Sequence, residues 1–579
     1  MKTVKISRNC LTAFLGAGLF MAAPVLFAQN VFLELNLTGP RSHGFAYVQS
    51  ESNLDILRTI QRAGDDSRIG GIVLNVSAYS AGHETLWELR QELEGFKAKG
   101  KKVVAFVSNA DLNLYYLASV ADKIVMDDQG SLMLLGYAWG RGYVRQGLEK
   151  LGVGVRELRY FEYKSAVETF TRDSMSDADR RQYGQWLADS MSVTRNAVMQ
   201  SRNLTGEEFD SVINSEFLFS PGSALERGLV DALGRWQAVN DAVKELSGNS
   251  ANSFTVFGDT ASSLSGSGRS YGPGRSGGFF SRPPVIAVIN ASGATDMERG
   301  MAAGTLSRTI EEISRRNRVK AIVLRIDSGG GSAEAADYIA GAVQNARKRV
   351  PVVVSMGSVA ASGGYWAGMT ADYIMATPVT MTGSIGVIST WFFDNGLNDK
   401  LGISVDTMQI GSHADLMSGI ILPTRDLNPA EEERFRLYIL DSYNDFVSRV
   451  AQNRGMEISQ VEEVAQGRVF SGLGALDAGL IDSIGGLSDA VNKAKELAGI
   501  AADRKVAFEE YPRPTFLEKM LARLTRMGMQ TQTAVLPNTQ AALLMTDLFL
   551  PMHALEDIRF RLNNNGRVMP ILPVDFGNR

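Results

Sequence analysis

Cysteine is nearly absent: of 579 residues only Cys10 is one, and it lies in the N-terminal segment. The body of the chain therefore has neither a disulfide nor a thiolate nucleophile. Histidine is scarce as well, His43, His83, His413 and His553 being the full set. No two of them have metal-ligand spacing, and a serine-histidine mechanism has few residues to draw on. Neither sign of charge dominates, with 59 Lys and Arg against 63 Asp and Glu, so nothing calls for a polyanionic partner such as nucleic acid. No phosphate-binding glycine loop precedes a lysine, and neither cofactor nor metal is expected.

The start of the chain pairs a few basic residues with one uncharged, mostly apolar run. Lys2, Lys5 and Arg8 precede the uncharged, mostly apolar stretch Cys10 to Ala28, the layout of an export signal. Two readings stay open for residues 1–28. Cleavage after Ala28 would put Leu26 where a small residue is usual, whereas the 19 residues from Cys10 to Ala28 are just long enough to anchor the chain in a bilayer despite Pro24. Either way the rest is expected beyond the membrane.

What the chain does have is an internal duplication. Arg58-Thr59-Ile60 recurs as Arg308-Thr309-Ile310, Ile72-Val73-Leu74 as Ile322-Val323-Leu324, and Lys150-Leu151-Gly152 as Lys400-Leu401-Gly402, each at an offset of 250. Near the end the offset becomes 251, where Ala224-Leu225 and Gly228-Leu229 return as Ala475-Leu476 and Gly479-Leu480. Such a register implies two copies of one domain. The expected organisation is an N-terminal repeat over 29–250, a Gly/Ser-rich linker over 251–284, a C-terminal repeat over 285–500 and an extension over 501–579. Within each copy, β-rich runs such as "GGIVLNV" and "KAIVLRI" alternate with helical stretches such as "AADYIAGAVQNARK". That alternation predicts an α/β domain with a largely parallel sheet and flanking helices.

The copies differ in a patterned way. "AASGGYW" in the second faces "ADLNLYY" in the first, setting Ser362 opposite Leu112. "DSGGGS" (327–332) faces "SAYSAG", and "MTGSIG" (381–386) faces "SLMLLG", with Ser384 opposite Leu134. One element runs the other way: "EYKSAVETF" in the first copy faces "SHADLMSGI" in the second, and Lys164 lies opposite Ala414. Purely structural duplication gives no reason for complementary losses. A single serine-lysine site assembled from both copies does.

The chemistry is coherent. A serine hydroxyl becomes a nucleophile when a neighbouring base takes its proton, and lysine can be that base only as a neutral amine. Moving its pKa from about 10.4 to about 7–8 costs roughly 3 to 4 kcal/mol and requires burial, so Lys164 should be enclosed by the second repeat. The glycines at 329–331 allow backbone N–H groups to face a developing oxyanion, a contribution of about 3 kcal/mol per donor. Gly330 is the first choice and Gly331 the second, with the backbone of Ser362 or Gly363 completing the hole. His413, beside the position facing Lys164, is the alternative base. Val359, Tyr365, Trp366 and Ile385 suit apolar substrate side chains or a core equally well.

At these residues the sequence resembles the protease IV, or signal peptide peptidase SppA, family in its long, duplicated form. "YKSAVE" with "RDSMS" in the first copy, and "DSGGGS", "SMGSVAASGGYW" and "TGSIG" in the second, carry the resemblance. It implies a tandem ClpP/crotonase-like fold and a serine-lysine peptidase of the bacterial envelope, assembled as a homotetramer and acting on signal peptides and other short hydrophobic peptides at the membrane. By residue it implies Ser362 as nucleophile, Lys164 as general base, Gly330 at the oxyanion and Ser384 positioning the amine. Gly329 stands where the family usually has proline. A crotonase-like acyl-CoA enzyme and a non-catalytic envelope scaffold are the alternatives on the same fold, and neither explains the paired losses of Ser and Lys.

Overall fold

In a computed structural model, the residues described are 31–37, 39–40, 52–77, 79–248, 254–256 and 283–513. The N-terminal signal or anchor, most of the linker and the extension beyond 513 lie outside them.

Each repeat builds one sheet from the predicted β-rich runs. In the first, the strands Phe254–Val256, Val31–Asn36, Ile69–Asn75, Lys102–Asp111, Lys123–Met133 and Leu218–Phe219 lie side by side in that order. In the second the order is Ala507–Tyr511, Val285–Ser292, Val319–Ser328, Val352–Ala361, Met381–Gly383 and Val469–Ser471. Within both orders the pairings are parallel except the last, Met133↔Leu218 in one repeat and Gly383↔Val469 in the other. The fold class is as expected: α/β, duplicated, with largely parallel sheets and flanking helices. Runs such as Ile322, Val323 and Leu324 are wholly buried because helices cover both faces.

Two short strands fall in segments read as linker and extension. Phe254–Val256 runs parallel to Val31–Asn36, and Ala507–Tyr511 runs parallel to Val285–Ser292. Each closes its own sheet on the same edge, so the ordered part of each repeat extends past the boundary drawn from composition.

The repeats are joined by more than the linker. Val153–Leu158 of the first pairs antiparallel with Ser389–Asp394 of the second, with Val155 opposite Phe392. The helix His83–Ala98 of the first repeat packs on the second sheet. There the buried Glu88 carboxylate accepts from Arg325 at 2.7 Å and from the Leu487 amide at 2.8 Å, and Arg325 also reaches Ser355 Oγ at 2.8 Å. Burial pushes the Glu88 carboxyl up, and Arg325 opposes that shift. Pairing both charges in a dry seam fixes the angle between the repeats, since leaving either one alone would cost several kcal/mol.

Candidate active site

The strand Val352–Ala361 ends at Ser362, and the helix Gly363–Gly368 begins directly after it. The turn between them is tight: Ser362 has φ 57° and ψ −117°, a backbone state that non-glycine residues seldom adopt. Its amide donates to Gly383 O at 2.8 Å and its carbonyl accepts from Trp366 N at 2.9 Å, so both sides hold the strained residue. Two glycines make the turn possible. A Cβ at Gly364 would sit 2.4 Å from Ser328 O, and one at Gly363 would sit 3.1 Å from Gly331 N.

Lys164 comes from the other repeat. It follows the strand Val153–Leu158, whose pairing with Ser389–Asp394 carries the chain across the seam. Tyr163 N then donates to Gln466 O at 3.1 Å. The backbone passes Gly467 so closely that a Cβ there would lie 2.6 Å from Lys164 Cβ. Lys164 Nζ approaches Ser362 Oγ at 2.6 Å, Ser384 O at 2.8 Å and Ser384 Oγ at 2.9 Å. All three oxygens are uncharged. Lys164, Ser362 and Ser384 are each no more than 1% exposed, so the lysine is enclosed by the second repeat.

Behind the lysine lies a polar cluster that sequence reasoning missed. Arg141 donates to Ser165 O and pairs with Asp179, which also accepts from Ser165 Oγ at 2.5 Å and from Gln182 at 3.1 Å. Gln182 Oε1 in turn accepts from Val469 N across the seam at 3.0 Å. Burial pushes the Asp179 carboxyl up despite Arg141. The cluster fixes the backbone on either side of Lys164. Charged residues read as surface until a partner is seen, and nothing in the spacing of Arg141 and Asp179 marks them as one.

The glycine loop departs from expectation in detail. It does pack against the serine, through Gly331 and Gly363, and Gly330 and Gly331 have φ of 101° and 159°. A Cβ at Gly331 would lie 2.2 Å from Thr295 O. Yet the Gly330 amide, the first choice for an oxyanion donor, is given to Ser328 Oγ at 3.2 Å, and the Ser362 amide to Gly383. Among the described residues no hydrogen bond takes the amides of Gly331 or Gly363.

Other expected residues lie elsewhere. Tyr365, Trp366 and Ile385 are core: Tyr365 donates to Leu480 O, and Trp366 packs on Phe446 with ring centroids 4.4 Å apart. Val359 alone of the four is partly exposed, beside Trp139, Tyr183 and Trp186. His413 is largely exposed and joins Glu431 at 2.8 Å, in a cluster with Arg425 and Asp415. It does not meet Ser362.

Comparison with known proteins agrees with this division into repeats. The sequence pattern of peptidase family S49 matches residues 95–250 and again 344–501. Protease 4 of Salmonella typhi is 33% identical over 521 residues, covering 86% of this chain and 80% of its own length. The chloroplastic serine protease SPPA of Arabidopsis thaliana is 30% identical over 462 residues, covering 78% of this chain and 67% of its own. Among solved structures, a ClpP1 mutant from Listeria monocytogenes aligns over 35% of this chain and 94% of its own with 18% identity and a TM-score of 0.25.

Proposed function

Because this chain belongs to peptidase family S49 and is a serine peptidase, we propose that Ser362 is its nucleophile and Lys164 its general base. One observation carries the reading: a lysine amine 2.6 Å from a serine hydroxyl, both buried, in a chain whose two repeats each keep one of these groups and lack the other. With the amine neutral, the Ser362 O–H donates to Nζ and Oγ attacks the scissile carbonyl carbon. Negative charge then develops on the carbonyl oxygen. The amides of Gly363 and Gly331 are the donors we assign to it, each contributing about 3 kcal/mol if aimed at the oxyanion. The lysine ammonium returns its proton to the departing amine, and the same lysine activates the water that releases the acyl group. Ser384, bound to Nζ through both Oγ and its carbonyl, keeps the lone pair directed at Ser362.

The substrates we propose are short hydrophobic peptides, chiefly signal peptides remaining in the membrane after cleavage. A relative from Enterococcus faecium, 34% identical over 188 residues, bears the name putative signal peptide peptidase SppA. The export-type N-terminus supports a place on the outer face of a bacterial inner membrane, or free in the periplasm if the signal is removed, and the resemblance supports a homotetramer. The test is cleavage of a synthetic signal peptide by the wild-type chain beside Ser362→Ala, with a fluorophosphonate probe as a second reading. Turnover in the wild type alone, with the label on Ser362, is expected. Equal turnover in both chains would overturn the assignment.

A further inference from the structure

The helix Asp177–Arg202 of the first repeat packs on the strand Val469–Ser471 of the second. Three of its side chains reach across the seam. Gln182 Oε1 accepts from Val469 N at 3.0 Å, Trp186 Nε1 donates to Val379 O at 3.0 Å, and Asp189 accepts from Ser471 Oγ at 2.5 Å. Successive steps of four and three residues put all three on one helix face. Gln182 also holds the lysine turn, for its Nε2 donates to Tyr163 O at 3.2 Å, Ser165 Oγ at 3.1 Å and Asp179 Oδ1 at 3.1 Å. Because Val469 N can only donate, Oε1 must face the second repeat and Nε2 the first. The bridge continues on both sides. Tyr163 and Ser165 flank Lys164, while Val469 lies opposite Gly383, whose carbonyl accepts from Ser362 N at 2.8 Å. One buried amide therefore spans the gap between the backbone that carries the lysine and the backbone that carries the serine.

The duplicated helix separates this role from simple support. Pro429–Arg454 has the same 26 residues, and setting its N-cap Asn428 on Ser176 also brings the left-handed C-caps Gly455 and Asn203 into register. Asp179 then faces Glu431, an acid buried against Arg425 as Asp179 is against Arg141. The buried acid–arginine pair thus occurs in both copies, whether or not a lysine stands in the turn. Gln182 faces Arg434, which is exposed. The glutamine accompanies the copy that carries Lys164.

We infer that Gln182 is a positioning residue for the reaction, fixing the separation of Lys164 Nζ and Ser362 Oγ across the seam between the repeats. The inference rests on the reading of Lys164 as the base. A proton passes between two heavy atoms only within hydrogen-bond reach, and a displacement of about 1 Å costs about a hundredfold in rate. The two groups belong to separate repeats, so any slip of one repeat on the other is felt at this distance. Gln182 opposes the slip without touching a reacting atom, acting through Tyr163, Ser165 and Val469.

The test is steady-state cleavage of a peptide that the wild type cuts, with competent sites counted from the end point of fluorophosphonate labelling. Gln182→Met keeps the volume and removes the bonds on both sides. Its kcat per labelled site should fall about ten- to a hundredfold with KM within about twofold of wild type. Gln182→Glu keeps an oxygen facing Val469 N and should recover part of that loss. Asp189→Ala, which cuts a grip farther along the same helix face, should lower the melting temperature while kcat per labelled site stays within about twofold of wild type. Wild-type kcat per labelled site in Gln182→Met, a loss carried by KM instead, or an Asp189→Ala chain equally slow would make Gln182 one more seam contact and overturn the inference. Failure of both Gln182 variants to fold would overturn it too. Lys164→Ala, run beside them, keeps the two readings apart. If it cleaves at the wild-type rate the base assignment itself fails, whereas an inactive Lys164→Ala beside a fully active Gln182→Met removes the positioning role alone.

Discussion

Ser362 holds a φ of 57° that costs on the order of 1–3 kcal/mol in a non-glycine residue, and the hydrogen bonds on either side of it keep it there. The strain lifts Oγ toward a lysine from the other repeat. Ser362→Ala and Lys164→Ala should each lower kcat by about a thousandfold or more with little change in melting temperature, and the double variant should be no slower than either single one, because the two groups act as a unit. A double variant much slower than both singles in a peptide assay would mean that they act separately. Ser384→Ala should cost less, about ten- to a hundredfold in kcat with KM little changed, since the Ser384 carbonyl still accepts from Nζ. An unchanged kcat would leave Ser384 as a turn residue. The dyad was legible in the sequence only by comparison of the copies, because a serine between alanines and glycines or a lysine near a helix is unremarkable alone. The glycine loop was legible as a loop but not its individual amides: which amide stays available depends on the Ser328 hydroxyl, which accepts from Gly330 N.

At the scale of elements, the alternation of β-rich and helical runs was readable because each has its own period, and the duplication made every strand count twice. Strands of three and five residues, Phe254–Val256 and Ala507–Tyr511, are too short to show a period and were lost among their neighbours. The pairing of Val153–Leu158 with Ser389–Asp394 was also hidden, since its partners stand more than 230 residues apart and neither has a marked alternation. The helix His83–Ala98 offers a test of its own. His83, its first residue, packs edge-on against Tyr116 and meets Thr194 Oγ1 at 3.2 Å, and burial lowers its pKa to about 4. A base with a lower pKa folded than unfolded is bound less well by protons in the native state, so its contribution is complete above pH 6.5 and is lost as pH falls toward 4. The loss should approach about 3 kcal/mol. Chemical denaturation of the wild type beside His83→Gln across that range should show the variant's stability falling less steeply; identical slopes would assign the acid sensitivity elsewhere.

For the whole molecule, the Glu88–Arg325 pair, the antiparallel seam and the Gln182 bridge to Val469 hold Lys164 and Ser362 of one chain together. Mixing Ser362→Ala chains with Lys164→Ala chains, after dissociation and reassembly, should therefore restore no peptide cleavage even where the two kinds share one assembly. Recovered activity above a few per cent of wild type would mean that the dyad forms between chains. The 198 residues separating the two groups we propose as catalytic also set an order in time. A ribosome makes Lys164 first and Ser362 much later, so a half-made chain, or either half released by a cut in the connector, holds one of the two groups without the other. On that proposal the complete site exists only where both repeats are folded against each other, and an unfinished chain carries none.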